Sequence, residues 1–125
     1  MKTQQEVELM KTNIQRKIEA QQVICSEMGT WTHPVYSQYL ETFGDAEFIS
    51  QEQWDALKKH FNIDTVTFWM ESSVNSDDWE TMMDDCDITK WEPIAPNGFF
   101  LIDINFSEDD AYAIFARNKY VSEVA

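Results

Sequence analysis

The alternating run FFLIDINF, Phe99 to Phe106, constrains the fold more than any other stretch of this chain. Phe100, Ile102, Ile104 and Phe106 alternate with Leu101, Asp103 and Asn105, and a period of two sends the two sets to opposite sides of a pleated strand. Ser107-Glu108-Asp109-Asp110 follows as a polar turn, and Ala111 to Arg117 alternates again, so the pair reads as a C-terminal β-hairpin. A third strand is predicted at Thr65 to Glu71, TVTFWME, where β-branched and aromatic residues put Val66, Phe68 and Met70 on one face.

Helix signals dominate the rest. Thr3 and Glu6 form a T-x-x-E capping box and Gly29 offers a stop, which predicts a long N-terminal helix. Its stripe, Val7, Met10, Ile14, Ile18, Gln21, Cys25 and Met28, either packs on this protein's own sheet or, with a period near seven, makes a helix-to-helix homodimer seam. Pro34 after His33 starts a short helix that ends before Gly44. Ser50 and Gln53 form a second capping box, flanked by the Ile49–Trp54 pair of a hydrophobic staple, predicting a helix at 51–61 that buries Trp54, Leu57 and Phe61. Ser72 to Ser76 reads as a loop. Ser76 is placed as the cap of an acidic helix through Asp85, with Trp79, Met82 and Met83 inward. Helices first and hairpin last give an α+β fold: a long N-terminal helix and two or three short helices on one face of a small antiparallel sheet.

A chain of 125 residues, 43% of them hydrophobic, is long enough to bury one core as a single domain spanning 1–125. Its net charge of −14 is one-sided. Residues 1 to 28 carry four charges of each sign, while the other 97 residues hold 19 acidic and 5 basic side chains. Such a field repels phosphates and anionic lipid and attracts a basic protein surface, so neither direct nucleic-acid nor membrane binding is expected. No apolar run is long enough to span a bilayer, and the start MKTQQEVELMK is polar where a signal peptide needs an apolar stretch. A cytoplasmic location is the expectation. Cys25 and Cys86 lie far apart without a C-x-x-C, and read as free thiols with packing roles.

The usual catalytic patterns are missing. There is no G-x-S-x-G elbow, the only histidines are His33 and His60, and three isolated glycines cannot build a phosphate-binding loop. No catalytic residue, cofactor or metal ligand is therefore assigned. Asp84, Asp85 and Asp87, or Asp103 with Glu108 to Asp110, offer oxygen ligands for calcium or magnesium, but neither group has calcium-loop spacing.

What stands out is acid around aromatic residues. Between Glu71 and Glu92 lie eight carboxylates and one cation, Lys90, interleaved with Trp79 and Trp91. Carboxylates on a rigid surface imitate the phosphates of a duplex, while a Trp anchor supplies affinity. Glu80, Asp84, Asp85, Asp87, Glu108, Asp109 and Asp110 are the candidate partner-binding residues, with Trp79 or Trp91 as anchor if exposed. The expected role is a non-enzymatic inhibitor of a nucleic-acid-handling protein. The alternatives are an immunity-type protein that neutralises a basic toxin, a small metal-dependent enzyme built on the Asp clusters, or an acidic surface that serves only solubility.

The segment WEPIAPNGFFLIDINFSEDDAYAIFAR, Trp91 to Arg117, resembles a pattern in small proteins encoded by tailed bacteriophages and related mobile elements. There a Trp-x-Pro and a second proline precede a Gly-led hydrophobic strand, an acidic turn and a strand ending in Arg. The matching residues are Trp91, Pro93, Pro96, Gly98, Leu101, Ile104, Glu108, Asp109, Ala113 and Arg117, and Asp110-Ala111 stands where the pattern has Gly-Pro. The resemblance covers less than a quarter of the chain, and implies a phage or bacterial source without a defined activity. The residues themselves suggest that Trp91 and the prolines form a lid over one end of the sheet, and that Arg117 pairs with Asp103 across the hairpin.

Overall fold

The computed structural model describes residues 18–44 and 49–119. In order, its elements are β1 (Trp31–Thr32), α1 (Pro34–Glu41), α2 (Gln51–Phe61), β2 (Ile63–Trp69), α3 (Met70–Ser73), α4 (Ser76–Asp85), β3 (Phe100–Phe106) and β4 (Ala111–Asn118). The strands form one antiparallel sheet in the order β1-β3-β4-β2, so the fold is α+β with four strands and four helices among the described residues.

The best local signal behaves as its chemistry requires. Ser50 Oγ accepts from Gln53 N–H at 3.1 Å, Gln53 Oε1 accepts from Ser50 N–H at 2.8 Å, and α2 spans Gln51–Phe61. Such a cap contributes about 1 kcal/mol. The α2 helix buries Leu57 and Phe61 and half-buries Trp54. At α4 the cap is Asn75, not Ser76: Asn75 Oδ1 accepts from Asp78 N–H at 2.8 Å. The strand expected at 65–71 lies at Ile63–Trp69, and Met70–Ser73 form the helical turn α3 where the end of that strand and the start of a loop were expected.

The helices do not share one face of the sheet, as expected from sequence, but cover both. On the first face α1 and α2 pack through Tyr36, Leu57 and Phe61 onto Ile63, Ile102, Ile114 and Ala116. On the second, α3, α4 and the connection 86–99 pack through Met70, Met82, Ile88 and Trp91 onto Ile104, Ala111, Ala113 and Phe115. The central strand β4 makes this possible, because both of its alternating sets are largely apolar.

The strand β3 departs from simple alternation. Leu101 pairs with Phe115 and Asp103 with Ile114, leaving Ile102 as the extra residue of a β-bulge. A bulge turns two successive side chains to the same side. Phe100 and Ile102 therefore join the first cluster, while Ile104 and Phe106 pack with the second. Asp103 swings inward on the first face, and the expected Arg117–Asp103 pair does not form. Arg117 Nη2 instead meets Asp64 Oδ2 at 3.0 Å, its direct neighbour on β2, and its guanidinium lies over the Phe99 ring at 4.9 Å.

The long N-terminal helix fails over its described part. Residues 18–26 adopt no regular structure and a turn follows, while the portion before Ile18, with the proposed dimer seam, lies outside the described residues. Tertiary bonds occupy the carbonyls that would begin this part of the helix. The Ile18 carbonyl accepts from Asn118 Nδ2 at 3.1 Å, and the Glu19 carbonyl accepts from His33 Nε2 at 2.6 Å. His33 is wholly buried, with Nδ1 accepting from Val35 N–H at 3.1 Å, so Nε2 carries the proton and the ring serves as a helix cap. Cys25 and Cys86 are free but exposed, which removes the packing role expected of them.

Candidate functional site

Two places on this scaffold concentrate chemistry. The first is the acidic side built from α4, the following connection and the β3–β4 turn. Trp79, Met82 and Met83 turn toward the sheet, so Glu80, Asp84 and Asp85 project outward and are exposed, as are Asp87, Glu92, Glu108 and Asp109. Thr89 donates to Asp87 through both its hydroxyl (2.6 Å) and its amide (2.9 Å), holding that carboxyl below the usual range.

Not every sequence candidate is available to a partner. Asp110 is half-buried, and its Oδ1 accepts from Ala111 N–H (2.7 Å), Trp79 Nε1–H (2.9 Å) and Glu71 N–H (3.1 Å). Together Asp110 and Trp79 tie the β3–β4 turn to α3 and α4, which gives them an internal task. Trp91 is 6% exposed within the second cluster and does not meet the exposure condition set for an anchor. A large apolar side chain that sequence reasoning passed over stands open in the same connection: Ile94 is 86% exposed. Met28, which is also exposed, is tied to the connection by its carbonyl, accepting from Ile88 N–H at 2.8 Å. Ile94 carried no periodic signal, so only the fold could reveal it.

Charge is polarised along the strands. Arg117 and Lys119 both pair with Asp64 at the start of β2, and Lys58 and Lys59 close α2 at that same end. Glu108 and Asp109 lie at the opposite end of β4, about 20 Å away at the usual rise per strand residue. The carboxylate groups weighed as alternative metal ligands do not assemble. Among the described residues no three His, Cys, Asp or Glu converge where a metal could sit.

The second place is a cavity of about 360 Å³ on the first face, and Asp103 is one of the residues that line it. Asp103 is 4% exposed. Thr32 Oγ1 (3.2 Å) and Asn105 Nδ2 donate to its Oδ1, and Tyr112 OH donates to its Oδ2 at 3.0 Å. Burial raises its pKa, and these three hydrogen bonds oppose the rise. Burial likewise pushes up the Tyr36 and Tyr112 phenols, with the Asp103 charge adding to the effect.

A pH dependence follows with a definite sign. The folded state holds the Asp103 proton more tightly than an unfolded chain with a carboxyl near 3.8. The stabilisation is complete below 3.8 and is lost as pH rises through the raised folded value. Asp64 and Asp87, both lowered, act in the opposite sense, but their contribution disappears only as pH falls below 3.8. Melting temperatures of the wild type and Asp103→Asn, compared from neutral pH down toward 3.8, are expected to move in favour of the wild type. Parallel curves would mean that Asp103 carries no such shift.

No described helix is long and apolar enough to cross a membrane. Compared with protein-family models, curated proteins and solved structures, the chain matches none.

Proposed function

We propose that this chain is a non-enzymatic interaction protein, a phage or mobile-element antagonist that binds a basic surface on a host or defence protein by imitating nucleic acid. The observation that carries this reading is the side formed by α4, residues 86–92 and the β3–β4 turn. There Glu80, Asp84, Asp85, Asp87, Glu92, Glu108 and Asp109 are exposed together with one described cation, Lys90. A field of this kind speeds encounter with a basic groove and disfavours phosphate-bearing competitors. Ile94 and Met28, exposed beside the acid, supply the apolar contact first assigned to tryptophan.

Reversal of Asp84, Asp85 and Asp87 to Lys tests it. In α4 the last turn has no basic residue, and lysine at 84 and 85 suits a helix C-terminus better than aspartate, but Asp87→Lys gives up two hydrogen bonds from Thr89, so the variant's melting temperature is measured beside its binding. Immobilised wild-type protein should capture from a bacterial lysate a basic nucleic-acid-handling protein that duplex DNA displaces and about 0.5 M salt releases. The triple variant should retain at least about tenfold less of it. Equal capture by both would exclude the acidic side as the interface.

A further inference from the structure

The acidic side leaves the cavity at Asp103 unused. Among the described residues two carboxylates line it, Asp103 in the interior and the exposed Glu41, and no Lys, Arg or His does. A second cavity of about 250 Å³ shares Tyr36 and Tyr112 with it and is walled by Trp54, Trp69 and Ile114. The rings are held in fixed relation. Tyr36 meets Trp54 edge-to-face at 6.4 Å, and Tyr112 meets Trp69 at 5.8 Å. The indole of Trp69 is large and apolar yet 46% exposed, and so open to a ligand.

We infer that this double cavity is a binding site for a small arylalkyl ammonium ion, its ammonium seated against Asp103 and its ring against Trp54 and Trp69. A carboxylate kept from water without a neighbouring cation gains most from a ligand that brings one. Phenol and indole faces add attraction for the same charge through their quadrupoles. The first cavity has the polar floor and a volume within the range of small-ligand sites, and the adjoining second supplies the aromatic walls. An anionic ligand would meet two carboxylates and, among the described lining residues, no cation. A neutral one would leave Asp103 without a counter-charge.

The test is calorimetric titration of the wild-type chain at neutral pH and fixed salt with 2-phenylethylammonium, 2-phenylethanol and 3-phenylpropionate. The ammonium ion should bind at least about tenfold more tightly than the alcohol, and the acid should not bind. Ethylammonium, which lacks the ring, should also be at least about tenfold weaker, separating the site from general attraction of cations to an acidic protein. Asp103→Asn should bring the ammonium down to the affinity of the alcohol. If that variant does not fold, Glu41→Gln, at an exposed position, should weaken the ammonium alone. The triple reversal on the other face of the sheet should leave the preference in place, so the fate of this site is independent of that of the acidic side. Equal binding of ammonium and alcohol by the wild type, or no ammonium binding at about 10 mM, would overturn the inference.

Discussion

Gly29→Ala is expected to destabilise the protein by about 3 kcal/mol or more, the sum of a strained backbone and a steric collision. Gly29 sits at φ +92°, and a Cβ there would stand 2.7 Å from the Thr89 nitrogen and 2.8 Å from the Ile88 carbonyl carbon. Both obstacles are backbone, which cannot rotate away as a side chain can. The turn around it is closed by Ser26, whose amide donates to the Thr30 carbonyl at 2.9 Å and whose carbonyl accepts from Gly29 N–H at 3.0 Å. Gly44→Ala separates the two causes. At φ +81° with no described residue within 4 Å of the added Cβ, Gly44 should cost only the strain, about 1–2 kcal/mol. Urea titration of both variants provides the check, and equal losses would mean that the approach to residues 88 and 89 carries no weight.

Trp91→Ala should remove about 3–5 kcal/mol and lower the melting temperature by more than about 10 °C. The ring is buried beside Ile104, Ala111, Ala113 and Phe115, so alanine leaves a cavity beneath the 86–99 connection. An interface anchor would behave differently, because its loss weakens binding while the melting temperature stays. The two measurements on one variant therefore decide between core and interface. If the melting temperature is unmoved, Trp91 does not bear on the second face as the packing requires.

Sequence and structure agree where a signal is closed within a few residues. Ser50, Gln53 and the apolar positions that follow are enough to start α2 and choose its buried side, and both capping bonds join residues three apart. They separate at Gln21 to Met28, where a helical stripe was present but Ile18 and Glu19 found partners in Asn118 and His33. Helix propensity is worth tenths of a kcal/mol per residue, so a few tertiary bonds outweigh it.

The candidate sites divide in the same way. The exposed carboxylates of α4 were legible because a helix with Trp79, Met82 and Met83 inward must turn its acids out. Asp103 was read on the side of the strand opposite Phe100 and Ile102, and came to their side, as the interior group of a cavity, through one extra residue, Ile102. Nothing in FLIDINF marks that bulge. It depends on how β3 registers against β4 and β1, and Thr32 and Tyr112, which receive the carboxylate, come from those strands.

By itself, then, the sequence determined the α+β class, the place and ends of α2, the strand at 100–106 and the acidity of one region, because capping, periodicity and charge are properties of neighbouring residues. The tertiary structure alone decided that both faces of the sheet are covered, that Trp91 is core, that Arg117 pairs with Asp64, and that Asp103 faces a cavity. Each of those depends on which distant strand lies beside which, and a side chain separated by tens of residues enters the local pattern only once the chain has folded.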